Sequence, residues 1–270
     1  MHYEETIKPI ESADQPLVSI ITPLFNAEKF ISETIGSVMD QSYSNWEHII
    51  VDDASNDASV MVAQRSFNGD SRFKLVQLEN NHGAAYCRNH ATEQANGEYI
   101  AFLDSDDLWH PQKLEQQIQI MEEGHLSVTF TSYLHIDEHG NALNKRIKAL
   151  PILSYAKQHR NNYICNITGI YRAGKLGKIF APNIRKRQDW AVWLEAIKRN
   201  ESPAVGIQKD LAFYRVRQDS ISSDKINLLQ YNFRFYSEYF RYSWLKSFFC
   251  LTRFLIEYFL VRPKQIEYYK

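Results

Sequence analysis

From Leu17 to Leu103 the chain alternates short runs suited to buried strands with longer stretches of helical apolar spacing, and this alternation leaves few folds open. Leu17-Val18-Ser19-Ile20-Ile21-Thr22 is a β-rich run that stops at Pro23, and Ala27 to Gln41 then carries apolar residues at Phe30, Ile31, Ile35 and Val38. Trp46 to Val51 predicts a second strand, Phe73 to Leu78 a third, Gly83 to Ala95 a helix, and Tyr99 to Leu103 a fourth strand. Such a sequence predicts an α/β fold, a mostly parallel sheet flanked by helices, with ligands beyond the carboxyl ends of its strands. After Gln112 the spacing predicts a helix to about Glu123, a strand over Leu126 to Leu134 and a β-rich run from Tyr163 to Tyr171. An amphipathic helix then opens at Lys186-Arg187-Gln188-Asp189-Trp190, and a strand is expected over Leu211 to Val216.

The polar clusters fall at those strand ends. Pro23-Leu24-Phe25-Asn26 follows the first strand, Asp52-Asp53 ends the second, and Asp104-Ser105-Asp106-Asp107 follows the fourth. Any one acidic pair reads most simply as a solvated loop or a cap. Three clusters converging by topology read as a site. Carboxylates as crowded as Asp104, Asp106 and Asp107 repel one another, increasingly so as water is removed, so a cation is expected among them.

With 270 residues, 44% of them hydrophobic, the chain can build one large domain and an appendage. A net charge of −1 gives no global attraction to nucleic acid. Cys87, Cys165 and Cys250 match neither a disulfide framework nor a zinc site, which suggests a reducing, cytoplasmic setting. Residues 1–16 are polar and acidic and read as a flexible leader rather than a secretory signal.

VSIITPLFN, HIIVDDASND and LENNHGAAYCRNHATEQANGEYIAFLDSDDLWHPQKL, in that order, resemble the family 2 glycosyltransferases with the GT-A (Rossmann-like) fold. The resemblance is close over about 17–130, the nucleotide-binding half, and looser over 131–225, the acceptor half. It implies an inverting, metal-dependent transfer of a sugar from a nucleotide diphosphate donor. By the family match Asp106 is the metal ligand, Asp104 lies against the ribose or the metal, and hard oxygens suit Mn²⁺ or Mg²⁺. Pro23 and Phe25 would cover the base, Asp53 would accept from a uracil-type imide with Asp52 beside it, and Arg88 would approach base and phosphates. Asp107 is expected to cap the next helix. Asp189, in a Gln-Asp-Trp variant of the family's acidic motif, would take the proton from the acceptor hydroxyl; an N-terminal helix charge is its plain alternative. Ala54 stands where the family usually has Gly, Cys87 where it usually has Ala, and Arg217 where it usually has a His that helps hold metal or diphosphate.

Residues 226–270 form an aromatic-rich tail. In YFRYSWLKSFFCLTRFLIEYFLVR, from 239 to 262, the charged residues Lys246, Arg253 and Glu257 interrupt every apolar run, so no span of the ~20 residues needed to cross a bilayer exists. On a helix they form one narrow stripe and leave a wide apolar face. That face predicts either packing on the domain or a second copy of the chain, or an interfacial membrane helix assisted by Arg234, Arg241, Arg262 and Lys264.

The expected activity is transfer from a nucleotide sugar, of the UDP type, to a saccharide or lipid-linked saccharide in cell-surface polysaccharide synthesis, peripheral on the inner face of the membrane. The alternatives are a metal-dependent phosphate hydrolase, which leaves the Pro-x-Phe-Asn loop unexplained, and a membrane-associated module that binds nucleotide sugar without turnover.

Overall fold

The computed structural model of the chain describes residues 15–184, 186–217 and 225–269. Most of the expected leader lies outside these residues; Gln15 and Pro16 are held by Asn45 and the Tyr43 hydroxyl. The first half folds as the alternation requires. Strands β1 (Val18–Leu24), β2 (Trp46–Asp52), β3 (Phe73–Gln77) and β4 (Tyr99–Phe102) pair in parallel in the order β3-β2-β1-β4. Helices α1 (Ile31–Met39), α2 (Ser59–Phe67) and α3 (Ala84–Gln94) connect them.

Both faces of this sheet are covered, which is why its strands are apolar along their length. Ile20, Leu24 and Ile50 pack with Ile31, Ile35 and Val38 of α1 on one face. Their strand neighbours Ile21, Ile49 and Val51 pack with Cys87 and Ala91 of α3 on the other. α1 starts four residues later than its spacing suggests, because Ala27 N–H is taken by the Ser59 hydroxyl at 2.7 Å and the chain turns there first.

Beyond β4 the sheet becomes mixed. The elements are β5 (Leu108–Trp109), α4 (Lys113–Glu123), β6 (Val128–Ile136), β7 (Ala142–Ile147), β8 (Ile152–Leu153), α5 (Tyr155–Arg160), β9 (Ile170–Arg172), α6 (Ala173–Leu176), α7 (Gln188–Asn200) and β10 (Ala204–Arg215). β9 lies antiparallel between β4 and β6, and β10 runs parallel to β6 while pairing antiparallel with β5 and β8. The β-rich run at Tyr163 to Tyr171 supplies only the three residues of β9, after a 3-10 turn at Asn166–Thr168. β10 begins seven residues before the strand expected from Leu211.

The tail comprises α8 (Lys225–Arg234), a π-helical turn at Phe235–Tyr239, α9 (Trp244–Ile256), a second π turn at Glu257–Val261, and β11 (Ile266–Tyr268). It ends on the main sheet, β11 pairing antiparallel with β7. One face is buried on α7: the rings of Trp190 and Phe235 stack at 4.5 Å, and Tyr236, Cys250 and Phe254 join them. Glu257 is buried where the tail meets the domain, accepting from the Tyr163 hydroxyl at 2.5 Å and pairing with Lys157. The opposite face exposes Trp244, Leu245, Phe248, Phe249, Phe259 and Leu260, each more than half accessible. The expected packing on the domain thus holds for one face, and the other is open among the described residues. No helix among the described residues is long and apolar enough to cross a membrane.

Candidate active site

The site stands at the adjacent carboxyl ends of β2, β1 and β4. Asp52, the last residue of β2, is buried; one of its oxygens accepts from Ser55 N–H at 3.2 Å, and the other, Oδ1, is buried without a hydrogen-bond partner. Asp53 behaves differently. Its two oxygens accept from the backbone N–H groups of His82 (2.7 Å) and Gly83 (2.8 Å). Gly83 holds φ 89°, a conformation open to glycine, and this lets the chain enter α3 with both donors aimed at Asp53. Asp53 is therefore the strap that seats the start of α3, while Asp52 keeps an acceptor oxygen without a partner.

The β1 loop lies against this turn. Asn26 N–H donates to the Ser55 hydroxyl at 3.0 Å, and Asn26 Oδ1 accepts from Asn56 N–H at 3.0 Å. Between that clamp and Pro23, the Phe25 ring is 48% exposed and free to stack.

At the end of β4 each of the two aspartates expected at the metal has a guanidinium partner. Arg88 Nη2, from α3, is 2.6 Å from Asp104, which also receives a longer contact from Asn166 at 3.4 Å. Arg217 Nε is 3.0 Å from Asp106, so the residue replacing the family's His does reach the acidic cluster. Asp107 caps no helix. It is buried, accepts Arg215 N–H at 2.7 Å and so ties the end of β10 to the loop. The Arg215 side chain, fully buried, bonds the carbonyls of Asp106 (2.7 Å) and Glu138 (2.9 Å) and the Glu33 carboxylate (2.6 Å).

Three arginines face the acidic loop, yet burial still disfavours its charged carboxylates. Burial and then the charge of Asp104 raise the Asp106 carboxyl above its ordinary range, and burial with Asp106 and Asp104 raises Asp107 further. No group of three or more His, Cys, Asp or Glu forms a ready-made metal cage among the described residues. The hard oxygens of Asp104 and Asp106 at one strand end nevertheless fit Mg²⁺ or Mn²⁺, which commonly take one or two carboxylates from a protein and the remaining oxygens from phosphates and water.

Asp189 sits in the first turn of α7 but is not engaged by that helix's free N–H groups. Its Oδ2 accepts from Asn162 Nδ2 at 2.7 Å; Asn162 Oδ1 in turn accepts from Gln158 Nε2 at 2.9 Å, and Gln158, fully buried, is fixed by Tyr163 N–H and by the Trp190 indole against its carbonyl. Asp189 Oδ1 accepts no hydrogen bond from the described residues. Arg88, Asn166 and Asp189 border one narrow cleft. Burial works against the charge of Arg88, but Asp104 and then Asp189 outweigh it and hold the guanidinium protonated. The structure thus brings Asp104, Asp106, Arg217, Arg88 and Asp189 into one connected region, with Pro23, Phe25, Asp52 and Asp53 at the neighbouring strand ends. Asn162, Gln158 and Asn166 were not found from sequence, since isolated polar residues in short elements and turns carry no periodic signal, and Arg215 was read only as part of a strand. Cys87 is inert packing: burial, with Asp53 next to it, pushes its thiol up to about 12.

The model of glycosyl transferase family 2 matches residues 19–180. The chain is 41% identical over 240 residues to TuaG of Bacillus subtilis, named a putative teichuronic acid biosynthesis glycosyltransferase, spanning 89% of this chain and 95% of that one. It is 38% identical over 217 residues to Escherichia coli WfgD, named a UDP-Glc:α-D-GlcNAc-diphosphoundecaprenol β-1,3-glucosyltransferase, covering 80% and 84% of the two chains. In structure it resembles residues 1–349 of Staphylococcus aureus TarS, solved with UDP-GlcNAc, at a TM-score of 0.70 and 22% identity over 92% of this chain and 74% of that one. It also resembles the mannosyltransferase PcManGT of Pyrobaculum calidifontis, solved with GDP-Man and Mn²⁺, at 0.67 and 17% identity, over 96% and 74%. These likenesses establish the GT-A fold.

Proposed function

Because the chain belongs to glycosyl transferase family 2, we propose that it moves a sugar, with inversion, from a UDP-sugar to a saccharide carried on a lipid diphosphate, in building a cell-surface polysaccharide. The observation that carries this reading is that Arg88 pairs with Asp104 of the acidic loop and shares a cleft with Asp189. Acidic ligands for the leaving group and a carboxylate base thereby share one region.

Phe25 offers a ring and Pro23 an edge for the base, and the unpartnered Asp52 Oδ1 suits the imide N–H of uracil. Asp53 holds the turn behind it, and Arg88 stands where the diphosphate would lie. A bound Mg²⁺ or Mn²⁺, held by Asp106 with Asp104, would offset the charge that grows on the departing nucleoside diphosphate. Asn162 fixes one oxygen of Asp189 and leaves the other to accept the proton of the attacking hydroxyl. Inversion needs one such base and no protein nucleophile.

The exposed aromatics of α9 and the following π turn, together with Arg241, Lys246, Arg253 and Lys264, support peripheral binding to the inner face of the membrane, where a lipid-linked acceptor is found. Asp189→Asn should lower transfer by roughly 10²-fold while UDP-sugar affinity is kept. EDTA and Asp106→Asn should each abolish most of the rate. Parallel loss of donor affinity in Asp189→Asn, or full activity in EDTA, would contradict the assigned roles.

A further inference from the structure

A cavity of about 300 Å³, at the lower end of the range for ligand pockets, lies between α5 and the tail, bordered by Tyr155, His159, Arg160, Tyr236, Tyr242 and Arg253. Its charges are one-sided. Neither Arg160 nor Arg253 makes a side-chain ion pair or hydrogen bond among the described residues, and Lys246 lies 3.5 Å over the Tyr242 ring at the same end. The nearby carboxylates are already committed: Glu257 to Lys157 and the Tyr163 hydroxyl, and Glu195 to Arg199 at 2.8 Å. Burial first, then Arg253, Lys246 and Arg160, push the His159 imidazole below its ordinary range, as expected where cations face one another with no anion between them. Cationic and aromatic walls around open space are suited to phosphate oxygens.

The position of the cavity narrows the source of the phosphate. Helix α5 carries Arg160 and His159 into the cavity and, through Gln158 and Asn162, reaches Asp189. Tyr236, on the opposite wall, packs edge-on against Trp190, the residue next to that carboxylate. Arg253 belongs to α9, whose outer side carries the exposed Trp244, Leu245, Phe248 and Phe249. The cavity therefore lies between the candidate base and the surface suited to lipid.

We propose that this cavity binds the diphosphate of the lipid-linked acceptor, so that the acceptor's lipid end is held at the tail while its saccharide reaches Asp189. The proposal rests on the lipid-linked acceptor reading above. It is tested with the full-length protein and phosphatidylcholine vesicles doped with a polyprenyl diphosphate. Arg160→Gln and Arg253→Gln should each weaken binding about tenfold, and the double variant about a hundredfold, consistent with loss of charge-assisted hydrogen bonds. Ala156→Phe, which fills the cavity and leaves its charges, should weaken it as well. Titration of His159 by NMR should shift upward when the vesicles bind. UDP affinity and melting temperature should be unchanged in every variant, which excludes misfolding. Inorganic pyrophosphate should compete with the vesicles. Unchanged binding by the double variant overturns the proposal. So does equal binding to vesicles doped with phosphatidylglycerol, which would mark a site for bulk lipid headgroups, or binding of pyrophosphate with no binding of the polyprenyl diphosphate vesicles. Failure of sugar transfer by the wild type, with arginine-dependent binding of the doped vesicles intact, would contradict the transferase reading and leave the cavity assignment standing.

Discussion

Ala54 holds φ 58°, in the left-handed region that L side chains disfavour by about 1–2 kcal/mol, directly after the Asp52-Asp53 pair. Glycine removes that strain but frees the unfolded chain, so Ala54→Gly should raise stability by up to about 1 kcal/mol in denaturant unfolding without changing UDP affinity. Asn162→Ala should lower kcat about tenfold with the donor KM unchanged, since Asn162 bonds the candidate base and Gln158 and no residue expected at the donor; a rise in donor KM instead would place it at the donor. Lys113 supplies a pH test. Its Nζ is buried over the Trp109 ring at 4.5 Å with Gln117 Oε1 at 2.8 Å, and burial lowers its pKa from 10.5 to about 7. Between those values the unfolded chain carries a proton that the folded one lacks, so this lysine's contribution to stability improves with rising pH. Any advantage of Lys113→Met should therefore shrink by about 1.4 kcal/mol per pH unit from pH 7 to 10, and a constant difference would contradict the assignment. At this scale the placement of Asp104 and Asp106 at a strand end was legible because they follow the apolar run of β4, whereas Arg88 and Asp189 were singled out by the family resemblance. Asp52 and Asp53 were not separable, because which carboxylate is consumed by His82 and Gly83 depends on a turn 30 residues away. Asp107 was misassigned as a cap because its partner, Arg215, lies on a strand over a hundred residues downstream.

At the scale of elements, long periodic segments were readable and short ones were not. β1 to β4 and α7 bury repeating faces, whereas β5 and β8 have two residues each, too few to show a period. The tail was readable as amphipathic, but the return of β11 to β7 was hidden by the short, polar sequence Ile266–Tyr268. That return alters what truncation should do. Removing residues after Lys225 uncovers Trp190, Ala191 and Leu194, which pack against Phe235 and Phe254, and strips the edge strand from β7. The shortened chain should melt far below the intact one and aggregate. By contrast, Leu245→Asp with Phe249→Asp alters only exposed side chains, so binding to anionic vesicles should be lost while the melting temperature stays within a few degrees. Vesicle binding unaffected by this pair would mean that another surface meets the membrane.

Across the whole molecule, two halves with different building rules meet at one cleft. A parallel α/β half ends its strands in acceptors and carboxylates, and an irregular half supplies the candidate base, its supporting amides and a tail that reaches from Asp189 to an apolar surface. On the proposed reading these halves act together in a single displacement at the sugar, with Asp189 as the base. The most direct test of that reading is proton NMR of the glycosidic bond formed from an α-linked UDP-sugar and a polyprenyl-diphosphate-linked saccharide, with UDP release followed in the same reaction. The expected result is a β-linked product, one UDP per bond formed, no UDP release without acceptor, and a roughly 10²-fold slower reaction of the same stereochemistry in Asp189→Asn. An α-linked product, or hydrolysis of UDP-sugar at the same rate with and without acceptor, would contradict it.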